Sequence, residues 1–397
     1  MLLALWDGGP GTEAACGTAE AVGFILHGDY CPAGGMPIRN EGSGAVIHIF
    51  TPRGEHTDEE AGSVHLLGDE TQLLELLHKT DDFNRCLKKA GPEENPWLPE
   101  DAAEDPLLLR MQTVGTAASR VSRRFSGKYR NILALLAAFC GLLTLFFLLY
   151  DEAQLIWMIL LCGVLLLAAW GCRFYALRTD SHRRSLEFRV LSESLRVQCC
   201  LRYAGSAAET AGLLSWTLRD EIPWVPAALC ALNIGRPPGK KHDIRACWAE
   251  DQLEYHRNAG DSSGKKLMLS ERTIKIALGL SIGLYLLGVA YELLCGGLIF
   301  HPVLPLANME TGRTVLKILI GTLSAVTLFT ADYYGKLSLS RATSDHKKME
   351  RFYQRMADVL DRRGQTEEVL SALAREELTE NAGWFSYQQD NTPDIGL

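Results

Sequence analysis

Apolar residues are concentrated in four blocks along the chain, and the segments between the blocks are strongly charged. The blocks cover residues 131–150, 154–172, 274–300 and 315–331. Each is close to the roughly 20 residues that an α-helix needs to cross a hydrocarbon core about 30 Å thick. The first two blocks almost touch, and the connection between the last two contains Pro302 and Pro305, which would end a helix. The pattern predicts a mostly α-helical membrane protein with four transmembrane helices in two hairpins.

The basic residues that flank these blocks are concentrated on one side, and the opposite side has only Arg313, with Lys317 just inside the fourth block. They precede the first and third blocks and follow the second and fourth, whereas the turn within the first pair has no lysine or arginine. The positive-inside rule therefore predicts that both chain termini and the central segment lie in the cytoplasm. The flanking residues are Arg120, Arg123, Arg124, Lys128, Arg130, Arg173, Arg178, Arg183, Arg184, Lys265, Lys266, Arg272, Lys336, Arg341, Lys347 and Lys348.

The distribution of charge and turn residues divides the chain into six segments. We expect a partial α/β segment at 1–92, an acidic linker at 93–118, and the first hairpin with a charged helix at 119–203. A helical segment at 204–270 precedes the second hairpin and an amphipathic helix at 271–377, and the polar tail at 378–397 is predicted to be disordered.

The charged helices after the two hairpins show a short internal echo. One contains His182 followed by two arginines, and the other contains His346 followed by two lysines. An acidic residue and a phenylalanine follow in both. Duplication of a two-helix unit would explain the echo, since repeats are common in membrane proteins, and coincidence is the alternative.

The amino-terminal segment has the pattern of a parallel βαβ unit. An apolar run at 2–6 is followed by a loop rich in glycine and threonine, a helical stretch from Thr18, and a second apolar run at 45–50. Ligands of such units bind at the carboxyl ends of the strands, where glycines admit a phosphate and the helix amino terminus offers free N–H groups. Asp7, Gly8, Gly17 and Thr18 fall at these positions.

Two strands alone do not make a stable parallel sheet. The segment therefore has the pattern of the second half of a Rossmann-like domain. We expect one of three explanations: the chain is a fragment, its start codon is assigned too late, or this domain has decayed.

Four stretches of this segment carry a family resemblance, namely residues 2–8, 17–22, 46–49 and 82–85. They resemble the later part of SLOG-type Rossmannoid domains, which include prokaryotic relatives of the sensor domain of TRPM channels. The resemblance implies that the segment senses a nucleotide or a nucleotide-derived signal. It implies that Gly17 and Thr18 bind the phosphate and that Asp7 and Glu20 make polar contacts nearby.

The loop that starts at Gly8 also resembles the glycine-rich loop of phosphoribohydrolase members of this family. Those members continue with a glutamate at the position of Ala15, so the resemblance does not extend to hydrolase activity. No Ser/His/Asp or Cys/His arrangement has a diagnostic spacing elsewhere in the sequence. We therefore expect that the protein is not an enzyme.

The hairpins resemble a second family. A two-helix hairpin with a very short external turn, followed by a charged helix such as the one around His182, is similar to the SLATT family. Its members are two-transmembrane effectors that are associated with SLOG domains and nucleotide signalling in bacterial conflict systems. The resemblance implies a multi-pass protein of the bacterial inner (plasma) membrane.

Charge and cysteine content exclude several other classes. The formal net charge of −8 argues against nucleic-acid binding, which requires a basic surface. The 11 cysteines include no CxxC pair and no zinc-type spacing, so we expect no disulfide framework, metal site or other cofactor. The adjacent Cys199 and Cys200 fit helix packing better than a redox or palmitoylation site.

Two ionisable residues fall inside the third and fourth apolar blocks. Glu292 and Lys317 both lie towards the outer leaflet in the predicted topology, where they are close enough in depth to pair. Ionisable groups within a membrane cost free energy and mark candidate functional sites. These two residues are therefore our candidates for the step in which the membrane helices perturb the bilayer or open a pore. The simpler alternative is that Lys317 extends its ammonium group to the interface and that Glu292 lies near it.

The sequence favours a sensor-effector, in which a nucleotide sensed in the cytoplasm changes the assembly of the hairpins and perturbs the bilayer or opens a pore. Four helices enclose little lumen, so we expect a homo-oligomer within the lipid bilayer. Two alternatives remain: a small-solute transporter, or a membrane scaffold without a ligand.

Overall fold

The computed structural model describes residues 2–9, 17–30, 38–39, 44–53, 60–91, 97–235, 241–295, 309–336 and 338–390. Most of these residues are helical. The chain falls into two compact units, Met1–Lys89 and Ala90–Leu397.

The first unit contains a small sheet. Its elements are β1 Leu2–Trp6, α1 Thr18–His27, β2 Asp29–Tyr30, β3 Ile38–Arg39, β4 Val46–Phe50, β5 Val64–Leu67 and α2 Glu70–Ala90. β1 pairs in parallel with β4, β5 pairs antiparallel with β4, and β2 and β3 form a separate two-residue hairpin. The order strand, helix, parallel strand is therefore confirmed for β1, α1 and β4.

The described strands of this sheet do not amount to a clear Rossmann fold. β5 follows a turn in which Gly62 adopts a positive φ of 90°, and it runs antiparallel to β4. Among the described strands of this sheet, β1 and β4 therefore form the one parallel pair. The core on the α1 face is small and is centred on Ala4, Val22 and Val46. On the opposite face Leu3, Leu5 and Val64 are each more than half exposed.

The second unit is made of helices. They are α3 Pro106–Asp151, α4 Met158–Thr179, α5 Ser181–Tyr203, α6 Thr210–Leu213, α7 Trp216–Glu221, α8 Trp224–Leu232, α9 Asp251–Cys295, α10 Met309–Lys336, α11 Leu339–Arg363 and α12 Glu367–Asp390. A 3₁₀ turn at Glu100–Glu104 precedes α3, and a π-helical turn at Arg245–Glu250 leads into α9. α3 starts where the Asp105 carboxylate accepts a hydrogen bond from the Leu107 N–H at 2.9 Å and proline occupies the first helical position.

Four helices of this unit are long and apolar enough to cross a membrane, as the sequence predicts. They are α3, α4, α9 and α10, and we call them the span helices. α3 packs against α4, α9 packs against α10, and α10 also packs against α3. The two predicted hairpins are therefore confirmed, and they are joined through α3 and α10. Within the described residues, α4 and α9 make no comparable contact with each other.

The polar parts of the second unit form a helical bundle next to the span helices, which we call the juxtamembrane bundle. α3 and α9 continue into it beyond their apolar segments, α5 packs along α3, α11 packs along α9, and α12 packs on α5. Asp180 separates α4 from α5, and Ser338 precedes α11 after α10. Both have a positive φ, 42° and 51°, which costs a residue with a side chain about 1–2 kcal/mol.

Three predicted segment boundaries are wrong, and the one at 270/271 falls inside α9, which is a single helix from Asp251 to Cys295. The predicted linker at 93–118 becomes part of α3 from Pro106, because Met111 and Ala118 are buried. The predicted disordered tail at 378–397 is helical through Asp390, since Leu378, Ala382 and Phe385 lie on one face of α12 and are buried. Residues 391–397 lie outside the described part of the chain.

Candidate functional site

The predicted phosphate site lies at two described places in the first unit. Asp7 and Gly8 directly follow β1, and Gly17, Thr18 and Glu20 form the start of α1. The structure thus puts each residue at the strand end or helix start that the sequence predicts. Residues 10–16 of the intervening loop lie outside the described residues.

Two carboxylates at these places stabilise local backbone. One oxygen of Asp7 accepts a hydrogen bond from the Gly9 N–H at 3.1 Å, and the other lies 3.5 Å from the Arg53 guanidinium. Glu20 accepts a hydrogen bond from the Gly17 N–H at 3.4 Å, which makes it the acidic partner of a capping box. Glu20 therefore places negative charge at the helix terminus that a phosphate would bind, so a ligand there must displace or outcompete it.

The two membrane candidates do not pair with each other, so that expectation is wrong. Glu292 on α9 accepts two hydrogen bonds from Arg313 on α10, at 2.5 and 2.6 Å. Lys317 on α10 donates to both carboxylate oxygens of Glu152, at 2.9 and 3.1 Å. The planar guanidinium of Arg313 donates to both carboxylate oxygens of Glu292, a bidentate geometry that a lysine ammonium does not provide.

These two ion pairs hold α10 to both of its neighbours at the turn end of the span helices. Arg313 connects α10 to α9 within the second hairpin. Lys317 connects α10 to Glu152, which caps the end of α3 in the first hairpin. Only the pair of Lys317 and Glu152 therefore links the two hairpins, and we call it the clamp. The sequence predicted neither Arg313 nor Glu152 as a partner.

Glu377 of α12 forms the centre of a buried polar cluster in the juxtamembrane bundle. Its side chain is almost fully buried and accepts hydrogen bonds from Arg196 at 2.6 Å, from the indole of Trp248 at 2.7 Å, and from the Tyr353 hydroxyl. The donors come from α5, from the π-helical turn before α9, and from α11. One carboxylate therefore joins four elements of the bundle, including the segments that continue into both hairpins.

Charge in this cluster is balanced locally. Burial lowers the pKa of Arg196, but the carboxylates of Glu193 and Glu377 more than offset this and hold the pKa above its ordinary value. Burial, together with Glu377, raises the pKa of Tyr353 well above its ordinary value. The arginine thus stays charged and the tyrosine stays a hydrogen-bond donor at neutral pH.

A histidine pair lies beside this cluster. The Nδ1 atoms of His256 on α9 and His346 on α11 are 3.1 Å apart, and the His256 ring stacks on Tyr353. One imidazole must donate to the other, so the geometry excludes a pair in which both rings are protonated. Burial, followed by the charges of His346, Arg196 and Arg189, lowers the pKa of His256 to about 3.

Glu380 of α12 titrates in the opposite sense. Burial raises its pKa to about 7, with Arg189 acting against the rise and Glu193 and Glu377 adding to it. Between pH 4.5 and 7 the folded protein therefore holds a proton that the unfolded chain has lost. This makes stability fall as pH rises through that range.

We predict that His256 and Glu380 contribute to the stability of the juxtamembrane bundle with opposite signs as the pH falls, and that His256 supplies the loss. Between about pH 6.5 and pH 3 the unfolded chain binds a proton that the folded protein does not, so stability falls as pH drops. From pH 6.5 to 5 the loss amounts to about 2 kcal/mol. Glu380 offsets this loss by a similar amount over the same interval, so the wild-type profile should be nearly flat between pH 6.5 and 5. Thermal unfolding of the detergent-solubilised His256→Gln variant should instead show stability that rises as the pH falls through this interval.

Glu380→Gln provides the matched variant. It removes the stability that Glu380 adds as the pH falls. The melting temperature should therefore fall more steeply between pH 6.5 and 5 than in the wild type. Identical profiles for wild type and His256→Gln would contradict the assignment.

The adjacent cysteines fit packing, as expected. Cys199 and Cys200 are fully buried in α5, and burial raises the pKa of both thiols. Thiols in this state are inert. Among the described residues, no group of three or more His, Cys, Asp or Glu side chains is arranged to hold a metal ion.

No protein-family model matches the sequence, and comparisons with curated proteins and with solved structures find no match. The resemblances to SLOG and SLATT families therefore stay predictions that rest on the quoted residues.

Proposed function

We propose that the protein is a membrane-embedded sensor-effector, in which the state of its polar domains controls the packing of the span helices. The observation that carries the proposal is the continuity of α3 and α9. Each is a single helix of 46 or 45 residues that belongs both to the juxtamembrane bundle and to a hairpin. A shift of either helix within the bundle must move its apolar segment as well.

The other two span helices are joined to the bundle differently. Asp180 interrupts the path from α4 to α5, and Ser338 interrupts the path from α10 to α11. A change of backbone angle at these two residues would let α4 and α10 tilt while α5 and α11 stay packed. Each hairpin thus combines one continuous helix with one jointed helix, which suits a unit that changes its packing on a signal.

The Glu377 cluster supports coupling between the two hairpins. Through α12 it joins α5 of the first half to α11 and to the π-helical turn before α9 in the second half. A movement of one half is therefore passed to the other through buried charge-assisted hydrogen bonds. The span helices α3 and α9 are unbroken over their described residues, whereas transporters typically carry discontinuous helices at a midplane site. This favours an effector over a solute transporter.

For the signal we propose a nucleotide bound in the first unit. The support is the resemblance of this segment to SLOG-type domains, together with the position of Gly17 and Thr18 at the exposed start of α1. The effector step is a change in hairpin packing that perturbs the bilayer or opens a pore, in a bacterial conflict setting as the SLATT resemblance implies.

Dye release from proteoliposomes tests the proposal. The purified full-length chain is reconstituted with entrapped carboxyfluorescein, and nucleoside mono-, di- and triphosphates and cyclic nucleotides are added on the side of the first unit. We expect one nucleotide class to accelerate release. Thr18→Val should raise the nucleotide concentration needed about tenfold, which corresponds to the loss of one hydrogen bond to a charged group.

Thr71→Val is the matched control, because Thr71 stands in the first turn of the neighbouring helix α2. It should leave the nucleotide response unchanged. If no nucleotide binds in equilibrium dialysis and none changes the release rate, the sensor-effector proposal fails and a scaffold without a ligand takes its place. Uptake of a labelled solute without dye leakage would instead favour the transporter.

A further inference from the structure

The second unit contains the same architecture twice. A long helix, a returning span helix, a residue with positive φ and a polar helix occur as α3, α4, Asp180 and α5, and again as α9, α10, Ser338 and α11. The long helices have 46 and 45 residues, and the polar helices have 23 and 25. We call the two sets the first and second repeat.

Local contacts fix the register of the two repeats. Arg183 and Glu187 form an i,i+4 ion pair at 2.9 Å in α5, and Arg341 and Asp345 form one at 3.5 Å in α11. Each arginine stands three residues after the residue with positive φ. The two polar helices therefore correspond position by position, counted from Asp180 and Ser338.

The same register extends to the long helices. Five residues after the positive-φ position, Ser185 hydrogen-bonds the Ser122 carbonyl oxygen at 3.0 Å, and Thr343 packs beside Gly264. Ser122 of α3 thus corresponds to Gly264 of α9. Nineteen residues further along each long helix stands a glycine, Gly141 in one and Gly283 in the other.

The returning span helices also share a glycine. Gly163 lies 17 residues before Asp180, and Gly321 lies 17 residues before Ser338. Among the glycines of each repeat, a glycine on the long helix and a glycine on the returning helix therefore stand at equivalent positions.

Two of these four glycines build the contact between the repeats. A Cβ atom at Gly321 of α10 would lie 2.7 Å from the Leu148 side chain of α3, so the two helices approach closely at this point. A Cβ atom at Gly141 of α3 would lie 3.5 Å from Val326 of α10. The contact thus joins the long helix of the first repeat to the returning helix of the second.

The counterpart of this contact is missing within one chain. It would join the long helix of the second repeat, α9, to the returning helix of the first, α4. In the described part of the structure, a Cβ atom at Gly163 or Gly283 would have nothing within 4 Å outside its own helix. On α4, the face beside Gly163 exposes Leu160, Val164 and Leu167 by 60, 61 and 71%.

The facing surface of α9 is equally open. Leu280 and Leu287 flank Gly283 and are 56 and 57% exposed. Apolar side chains alone give no driving force for association in lipid, but small residues let helix backbones approach and pack. The exposed faces of α4 and α9 thus carry Gly163 and Gly283. These are the counterparts of Gly321 on α10 and Gly141 on α3, which form the internal contact.

We propose that α4 of one chain packs against α9 of a second copy of this chain, in the geometry of the internal contact between α10 and α3. The interface is heterologous, because each copy contributes a different surface to each neighbour. Such contacts continue from copy to copy and form a ring if the rotation closes. This deepens the proposed function by naming the partner of the membrane assembly, and it rests on that proposal for the role of the assembly.

A natural cysteine allows a direct test. Thr330 of α10 and Ala138 of α3 both line a cavity of about 310 Å³ in the internal contact. Their counterparts in the proposed interface are Cys172 on α4 and Leu280 on α9. Full-length Leu280→Cys in native membranes is oxidised with copper-phenanthroline and separated on a non-reducing gel. We expect a ladder of dimer, trimer and higher bands, because every copy carries both partners of the disulfide.

Two variants control for chance collisions and for other cysteines. Leu278 is 52% exposed at nearly the same depth but points about 200° away around α9, so Leu278→Cys should give no ladder. The double variant Cys172→Ser, Leu280→Cys should lose the ladder. In the Leu280→Cys background, Gly283→Leu should also reduce the ladder, because the added side chain separates the two helices.

Each outcome decides the proposal. A ladder that needs both Cys172 and Leu280→Cys supports it, and an upper limit to the ladder gives the number of copies in a ring. A dimer that forms only when Cys172 and Leu280→Cys are both present means that the ring closes at two copies. A dimer that persists after Cys172→Ser indicates a symmetric contact of α9 with α9 and overturns the proposal. The absence of any product beyond that of Leu278→Cys also overturns it, because lipid then covers these faces. Nucleotide-dependent dye release without a ladder would overturn this interface alone, and a ladder without dye release would overturn the proposed function alone.

Discussion

Glu377→Ala will lower the free energy of unfolding of the second unit by about 3–5 kcal/mol, the range for removing one partner of a buried ion pair. The substitution leaves Arg196 buried with only Glu193 as a counter-charge. It also leaves the Trp248 indole and the Tyr353 hydroxyl without their acceptor. Guanidinium unfolding in detergent micelles, followed by the fluorescence of the tryptophans, measures the loss.

Glu376→Ala is the matched control for this variant. Glu376 is the exposed neighbour of Glu377 on α12, so the same change of charge in the same helix should alter stability by less than about 0.5 kcal/mol. Glu377→Gln should fall between the two, because the amide keeps an acceptor but does not balance Arg196. Equal stabilities for Glu377→Ala and Glu376→Ala would show that the cluster does not hold the bundle.

Phe385→Ala will lower the same free energy by about 3–5 kcal/mol, the range for truncating a buried phenylalanine. Phe385 is 2% exposed near the end of α12, in a stretch whose composition predicts disorder. Without this anchor the last turns of α12 should fray, so limited proteolysis should cut after residue 378 in the variant before it cuts the wild type.

Thr379→Ala is the corresponding control. Thr379 is an exposed position of the same helix, and its hydroxyl bonds only to the Arg375 carbonyl oxygen one turn back. It should leave both the unfolding free energy and the protease pattern nearly unchanged. A wild-type protein that is already cut between 378 and 390 under native conditions would contradict the packed α12.

The span helices were predictable because an apolar run of about 20 residues has few other uses. The polar extensions of α3 and α9 were not, since a helix that packs within a polar bundle shows neither a long apolar run nor a clean amphipathic pattern. The end of α12 was missed because polar residues dominate its composition. Leu378, Ala382 and Phe385 recur at i, i+4 and i+7, and this helical period was the available signal.

The candidate sites divide in the same way. Local features were predictable: Gly17 does cap α1, and Asp7 does follow β1. Pairings across the fold were not. The sequence places Glu292 and Lys317 at similar depths, but Arg313 and Glu152 take them as partners. The donors to Glu377 lie as far as 181 residues away along the chain, and no sequence spacing predicts such a convergence.

The internal echo was detected in the sequence but in the wrong register. The echo was aligned on His182 and His346. These residues stand two residues after Asp180 and eight residues after Ser338, so they are not at equivalent positions. The positions that correspond are Arg183 with Arg341 and Glu187 with Asp345. The backbone joints, which leave no signature in the sequence, were needed to align the two halves.

Because one chain carries the hairpin twice, the number of hairpins in an assembly and the evolution of the contacts between them are both constrained. An assembly built from such chains contains an even number of hairpins, and covalent and non-covalent junctions alternate around it. The two kinds of junction are free to evolve separately: here the clamp from Lys317 to Glu152 reinforces only the junction inside the chain. On dilution an assembly of this kind separates into intact pairs of hairpins, and single hairpins never appear.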